Sequence, residues 1–310
     1  MEIKQLSAVV AVAETRSVTR AAELLHVVQP AVTRQIRLLE EELGVQLFER
    51  SRHGTLPTVA GEAMIAHARR VLQEIERAKA EIRPRALGIG GLVTVGFLAS
   101  TTDLLVAPML ERLKEEYPGV RLRIRSGFSG DLQAALDRGE IDVALLYESE
   151  SAPVMNIQKL LTEQIWAVGP AGCGLSDMES VETGRLARHS LVLPSPGQGL
   201  RTLLNELCAR QDTEILPAVE TDSMAVQKRL VSGSGYWTVL PAGCLHEEFE
   251  DGSLEGAPVQ EGELQRTIIM ATSRDAQARA AVKVVADCLF STAHFLIDSG
   301  LWLSAQKITK

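Results

Sequence analysis

The sequence predicts an all-α front domain with a small β-wing and one long helix behind it, followed by an α/β body of two subdomains. Three observations carry this. Apolar residues recur at helical spacing through residues 1–86. Beyond Pro84 the texture changes to strands alternating with helices, which indicates an α/β fold with a largely parallel sheet. The charge divides at the same place: residues 1–91 hold 13 Lys and Arg against 11 acidic residues, whereas residues 92–310 hold 19 against 29. A chain of 310 residues has room for two or three domains with sizeable cores.

The elements follow in order. Leu6, Val9, Val10 and Ala13 share one helix face, and Ser17 offers an N-cap to a short second helix carrying Ala21, Ala22, Leu24 and Leu25. His26-Val27-Val28 is a tight connection to Gln29-Pro30; proline suits a first helical turn, so a third helix starts there. It turns Val32, Ile36, Leu39 and Leu43 inward and stops at Gly44. The run VQLFERSRHGTLPT reads as two short strands around an Arg/His/Gly tip. Thr58 caps a fourth helix that meets no breaker before Pro84, with Ala60, Met64, Ala68, Val71 and Ile75 as its apolar stripe. Residues 86–91, ALGIGG, form a glycine-rich hinge. Strands are then expected at 92–100, 120–126, 143–147, 163–169, 190–194, 219–221 and 267–272, and helices at 132–137, 200–210, 224–231 and 276–299.

Two short helices joined by a tight turn, the second opening with polar residues, match a helix-turn-helix. In that motif the second helix sets its N-terminal side chains on base edges in the major groove. Gln29, Thr33, Arg34 and Arg37 are the reaching residues: Gln pairs with adenine, Arg with guanine, and a Thr methyl touches thymine. The same pattern also suits an ordinary helical subdomain with solvated polar residues. Aromatics make up 4% of the chain and only Phe48 falls in residues 1–91, which disfavours single-strand binding by base stacking.

The run ETRSVTRAAELLHVVQPAVTRQIRLLEEELGVQLFERSRHGTLPTVAGE resembles the N-terminal domain of LysR-type transcriptional regulators nearly position by position. The matching pieces are Ser17, Ala21-Ala22, Gln29-Pro30-Ala31, Thr33, Ile36, Leu39-Glu40, Leu43-Gly44, Leu47-Phe48-Glu49-Arg50 and Thr58-x-Ala60-Gly61; Val28 departs from the family, which usually has a Ser or a similar cap there. The hinge, GEIDVALL and VSGSGYWTVLP extend the resemblance more loosely along the body.

The resemblance implies a winged helix-turn-helix over residues 1–61, a linker and dimerisation helix over 62–85, a hinge at 86–91 and an effector-binding domain over 92–310. That domain would be periplasmic-binding-protein-like, with subdomain I at about 92–163 and 267–310 and subdomain II at about 164–266. Ser17, Gln29, Pro30, Ala31, Thr33, Arg34 and Arg37 would serve bases or adjacent phosphates. Arg50, Arg52 and His53 would hold the backbone and an adjoining minor groove, where Arg reads shape; a plain turn residue is the other reading of His53. The long stripe of the fourth helix suits a partner helix better than its own domain. Implied partners are double-stranded DNA at an inverted-repeat site, further copies of the chain as a homodimer or homotetramer, a small-molecule effector, and RNA polymerase.

The body suggests independently where a ligand sits. Several strands run into small polar residues that open a helix: Ser100-Thr101-Thr102-Asp103, Ser129-Gly130-Asp131, Gly197-Gln198-Gly199-Leu200-Arg201 and Thr221-Asp222-Ser223. Ligands of α/β sheets bind beyond strand C-termini, and helix N-termini suit anions. Each piece alone reads equally as an N-cap. Together they nominate Ser100, Thr101, Ser129, Gln198, Gly199, Arg201, Thr221 and Ser223 for an anionic effector. Arg201 would add a forked contact to a carboxylate; the competing reading is a surface salt bridge to Glu206 or Glu214.

Other classes fit poorly. The chain has no GxSxG, HExxH, Walker A or GxGxxG, and its six histidines, His189 and His246 among them, are scattered. No enzyme activity, metal or cofactor is expected. Cys173, Cys208, Cys244 and Cys288 lie at least 35 residues apart, which argues against CxxC pairs and against a redox-sensing member of the same family. Glu2 and Lys4 stand where a signal peptide needs an apolar run, and no stretch reaches roughly 18 uninterrupted apolar residues, so a cytoplasmic protein without membrane contact is expected. The alternatives are a redox-sensing regulator of the same family and a cytoplasmic small-molecule-binding α/β protein without a DNA role.

Overall fold

Capping signals place the helices of the front. The computed structural model describes residues 1–51, 54–82, 88–148, 156–260, 263–273, 276 and 279–308. They fall into two units, Met1–Arg85 with Arg138–Glu140, and Ala86–Asp137 with Ile141–Lys310. Helix α1 (Ile3–Thr15) buries Leu6 and Val9 as its spacing predicts, with Ala8, Ala11 and Val12 beside them, while Val10 and Ala13 are half-buried. Ser17 Oγ accepts the Arg20 N–H at 3.4 Å and starts α2 (Val18–Leu24). His26 takes a φ of 55°, the turn conformation that leads into α3 (Gln29–Leu43). Val32, Ile36 and Leu39 point inward; Leu43, expected beside them, is 43% exposed, because the core against α1 and the wing ends at Leu39.

The wing is the antiparallel pair β1 (Phe48–Ser51) and β2 (Gly54–Pro57), with Phe48 opposite Pro57. Glu40 ties it to α3 by accepting the N–H groups of Leu47 at 2.7 Å and Phe48 at 3.3 Å. Thr58 caps α4 (Val59–Ile82), accepting the Gly61 N–H at 3.0 Å and donating to Gln46 O at 2.8 Å. A Cβ on residue 61 would stand 1.9 Å from Leu47 O, so only glycine lets α4 lie this close to the wing. Along α4, Ile65 and Ala68 are buried and Val71 is 41% exposed. The stripe therefore runs on past the core that its own unit supplies.

The second unit opens with β3 (Gly90–Leu98), α5 (Ala99–Glu116), β4 (Gly119–Gly127), α6 (Ser129–Asp137) and β5 (Val143–Tyr147), in which β3 pairs in parallel with β4 and β5. Next come β6 (Asn156–Pro170), α7 (Thr183–Leu186), β7 (Leu191–Leu193), α8 (Gly199–Arg210), β8 (Pro217–Glu220), α9 (Met224–Ser234), β9 (Thr238–Pro241), α10 (His246–Glu250) and β10 (Leu254–Pro258). The chain ends with β11 (Gln265–Thr272), α11 (Ala280–Asp298) and β12 (Ala305–Lys307). The main sheet has the order β10-β6-β11-β5-β3-β4, with β9 and β12 also on β6, and β7–β8 is a separate parallel pair.

The sheet is mixed rather than largely parallel. β11 lies antiparallel between β5 and β6, and β9, β10 and β12 are antiparallel to β6. Connectivity is the reason: β11 is the return strand of the long excursion through 171–264, and a returning chain pairs antiparallel. β6 is 15 residues long, and its first half pairs with β11 while its second half pairs with β9 and β10. Separate cores sit on its two halves, with a further cluster of Val168, Val231 and Leu240 on the second. Phe97, Leu105, Leu145, Leu161, Ile268 and Leu289 belong to one; Ile165, Leu193, Leu204, Trp237 and Leu264 belong to the other. Helix α11 is long and apolar enough to cross a membrane by composition, but it buries Val282, Val285, Leu289 and Leu296 in the first core.

Candidate functional site

The front unit presents the start of α3. Val28 is the N-cap residue, makes no side-chain cap bond and is 70% exposed, so its departure from the family pattern leaves this N-terminus uncapped. Gln29, Pro30, Thr33, Arg34 and Arg37 are exposed and Ala31 is half-buried. Gln29 Nε2 donates to Thr33 Oγ1 at 3.0 Å, which joins two of the reaching side chains one turn apart. Arg37 pairs with Glu41 at 2.7 Å, and because both are exposed the pair is worth only about 0.2–1 kcal/mol and yields readily to a phosphate. Ser17 is engaged in capping α2. Arg50 stands in β1 opposite Thr55, its side chain outside the described part, and Arg52 and His53 lie outside the described residues.

In the second unit a cleft with about 470 Å³ of empty space, its open mouth included, gathers the ends of several elements. Ala99 and Ser100 come from the start of α5, Gly127 and Phe128 from the end of β4, and Tyr147 from the end of β5. Pro194, Gln198, Gly199 and Leu200 come from the approach to α8, Met224 and Gln227 from the start of α9, Leu240 and Pro241 from β9, and Arg266 from β11. The helices α5 and α8 both begin at this cleft, and neither has a side-chain cap. Free first-turn N–H groups and the helix dipole favour a negatively charged group there.

Of the nominated residues, the structure brings Ser100, Gln198 and Gly199 to the cleft wall. The others work beside it. Thr101 is fully buried and donates to Leu98 O at 3.0 Å. Ser129 accepts the Tyr147 N–H at 3.0 Å, Thr221 accepts the Ser223 N–H at 3.2 Å, and Ser223 caps α9 by accepting the Val226 N–H at 3.4 Å. Arg201 does not line the cleft. Its buried side chain donates to Pro194 O at 3.2 Å, Asn205 Oδ1 at 3.1 Å and Glu220 Oε1 at 3.1 Å. The forked ligand contact is thus replaced by an internal tie from α8 to β7 and β8, and its acidic partner is Glu220 rather than Glu206 or Glu214.

The residues that sequence reasoning missed are Tyr147, Gln227 and Arg266. Arg266 faces Glu163 across the β11–β6 register, and both are nearly fully buried. Its Nε donates to Glu163 Oε1 at 2.5 Å, Nη2 to Ser100 Oγ at 2.7 Å and Nη1 to Tyr147 Oη, while Trp302 Nε1 donates to Glu163 Oε2 at 2.9 Å. The guanidinium also lies 4.3 Å from the Tyr147 ring centroid. Burial works against the Arg266 charge, but Glu163 and Tyr147 outweigh it and hold the guanidinium protonated. Burial pushes the Tyr147 phenol up more strongly than Arg266 draws it down, so it stays neutral. The cluster is therefore electrically balanced before any ligand arrives.

Gln227 is 2% exposed; its Nε2 donates to Thr221 O at 3.0 Å, and its Oε1 finds no partner among the described residues. Leaving such an acceptor unanswered costs about 1–3 kcal/mol. A period-two or 3.6 pattern could have flagged these three residues as polar breaks in buried runs, but not their convergence.

The remaining reactive groups are quiet. Burial raises all four thiols, Cys244 to about 12, which opposes the thiolate that redox chemistry needs. His189 stacks on Trp237 at 3.7 Å, and His246 lies 3.4 Å from Glu250.

Comparisons with known proteins agree with this geometry. Residues 3–62 match the model of the bacterial regulatory helix-turn-helix protein, lysR family, and residues 87–293 match the LysR substrate binding domain. The HTH-type transcriptional regulator BbuR of Bordetella bronchiseptica is 30% identical over 292 residues, covering 94% of this chain and 90% of its own. The DNA-binding transcriptional dual regulator OxyR of Escherichia coli is 28% identical over 277 residues, covering 86% of this chain and 88% of its own. Among solved structures, full-length CbnR in complex with its target DNA superposes with a TM-score of 0.72 at 21% identity, over 94% of this chain and 100% of the other, a likeness of fold.

Proposed function

This chain belongs to the LysR family of DNA-binding transcriptional regulators, and on that premise we propose that it binds an inverted-repeat DNA site as a homodimer or homotetramer and answers to a small anionic effector. The observation that carries the DNA half is the exposed row Gln29, Thr33, Arg34 and Arg37 at the start of α3, with the wing tied to the same helix through Glu40. Gln29, Thr33, Arg34 and Arg37 reach bases or adjacent phosphates, and Arg50, Arg52 and His53 hold the backbone and an adjoining minor groove. The stripe of α4 that runs out to an exposed Val71 supports a helix-to-helix dimer.

The effector half rests on the two uncapped helix N-termini, α5 and α8, at one cleft. They come from opposite cores, so a bound anion joins the two subdomains and favours their closed arrangement. We place the subdomain boundary near 163/164 and 266/267, a division supported by Leu161 and Ile268 lying in one core and Ile165 and Leu264 in the other. The protein acts in the cytoplasm, with RNA polymerase as the partner through which bound DNA is read out. A gel-shift series on DNA from upstream of its own gene, with and without a panel of small organic acids, tests this. A retarded complex whose affinity or footprint one acid changes is expected; a complex indifferent to every acid overturns the effector half, and no specific complex overturns the DNA half.

A further inference from the structure

On the cleft wall, α9 carries Gln227, whose buried amide oxygen has no partner among the described residues. Gln227 stands one turn into α9, 2% exposed, among the residues that line the cleft. Its orientation is settled by the 3.0 Å donation from Nε2 to Thr221 O, since a flipped amide would set Oε1 against another carbonyl oxygen. Oε1 is thereby left buried without a partner among the described residues. The wall around it, Met224, Leu240 and Pro241, supplies no side-chain donor. Arg266, the one cation among the described residues of the cleft wall, is already balanced by Glu163.

We propose that Gln227 Oε1 reads a neutral O–H or N–H donor on the effector, so that the effector is a small monocarboxylate carrying a hydroxyl or an amide N–H. This rests on the reading that the acid end sits at the N-termini of α5 and α8. An ammonium donor fits less well, because the N-terminus of α9 disfavours a cation beside it. A second carboxylate fits less well because it meets no unpaired cation among the described residues of the wall, and a buried charge needs a partner. Gln227 is thus a specificity residue: it distinguishes the hydroxylated or amidated acid from the plain acid of the same shape.

The test is calorimetry and thermal shift on the full-length protein with matched probes: propanoate against lactate, benzoate against 3-hydroxybenzoate, and 4-oxopentanoate against N-acetylglycine, with phthalate as a dicarboxylate. The donor-bearing member of at least one pair is expected to bind tenfold or more tightly than its parent, and phthalate not at all. Gln227→Met, which keeps the length of the side chain without the amide, is expected to abolish that preference. Parent acids binding as tightly as their donor-bearing partners overturn the proposal, as does a Gln227→Met protein that keeps the discrimination. The wild-type comparison decides the matter even where that variant does not fold. Failure of every probe to bind overturns the effector-cleft reading itself, and with it the proposal, an outcome distinct from loss of discrimination alone.

Discussion

Tyr147 and Gly199 touch so closely that residue 199 has no room for a side chain: a Cβ built there would stand 2.8 Å from Tyr147 Cδ2. Tyr147 ends β5, packed on the first core, and Gly199 starts α8, packed on the second. Gly199→Ala is therefore expected to push the two subdomains apart at the cleft, at a cost of about 1–3 kcal/mol for overpacking. Thermal unfolding should show a lower Tm, and the rise in Tm caused by an effector should vanish. An unchanged Tm would mean that Tyr147 gives way freely.

The Arg266–Glu163 pair can be dissected by a double-mutant cycle. Removing one member of a buried pair leaves an uncompensated charge and costs about 3–5 kcal/mol, whereas replacing both with apolar residues is often near neutral. Arg266→Met or Glu163→Leu alone should destabilise strongly in urea unfolding, and the double variant should recover much of the loss. Glu163→Leu also strips Trp302 of its acceptor, so some loss should persist. Additive losses would show that the pair is not coupled as its geometry requires.

On DNA, log affinity should fall with log salt at a slope near −0.9 per neutralised phosphate. Gln29→Ala and Thr33→Ala should relax base preference, a good bidentate contact being worth about 1–3 kcal/mol of discrimination. Arg50→Ala should instead weaken all sequences alike and flatten the salt slope. Fluorescence anisotropy on operator and scrambled duplexes separates the two classes; a uniform effect of Gln29→Ala would remove it from base reading.

Val71 lies on the α4 stripe and is 41% exposed within one chain. In a dimer seam, Val71→Asp buries an unpaired charge and should shift the assembly toward monomer. Light scattering at low concentration checks this. An unchanged mass would assign the stripe to the chain's own unit.

The front unit was legible almost residue by residue. Ser17 caps α2, α3 opens at Gln29-Pro30 and ends at Gly44, and Thr58 caps α4, as their types and spacing predict. The exceptions are instructive. Leu43 shares the spacing of Leu39 yet lies exposed, because periodicity marks a face and not where the packing partner stops. In the body, strand–helix alternation predicted many of the elements, but not α7, α10, β10, β12 or the first half of β6, and not the antiparallel insertion of β11.

Capping, turn and periodicity signals act within a few residues of chain, so the sequence by itself determined the winged helix-turn-helix, the long helix behind it and the α/β character of the body. The cleft is a different matter. Tyr147, Glu163 and Arg266 come from three elements and meet because β11 pairs with β5 on one edge and β6 on the other. That register places Arg266 opposite Glu163 and leaves the cluster electrically balanced, while the separate β7–β8 pair brings Pro194 and Glu220 within reach of Arg201. Strand register is set by partners more than a hundred residues away. No local pattern around Arg201 or Arg266 could therefore say which arginine the cleft would use.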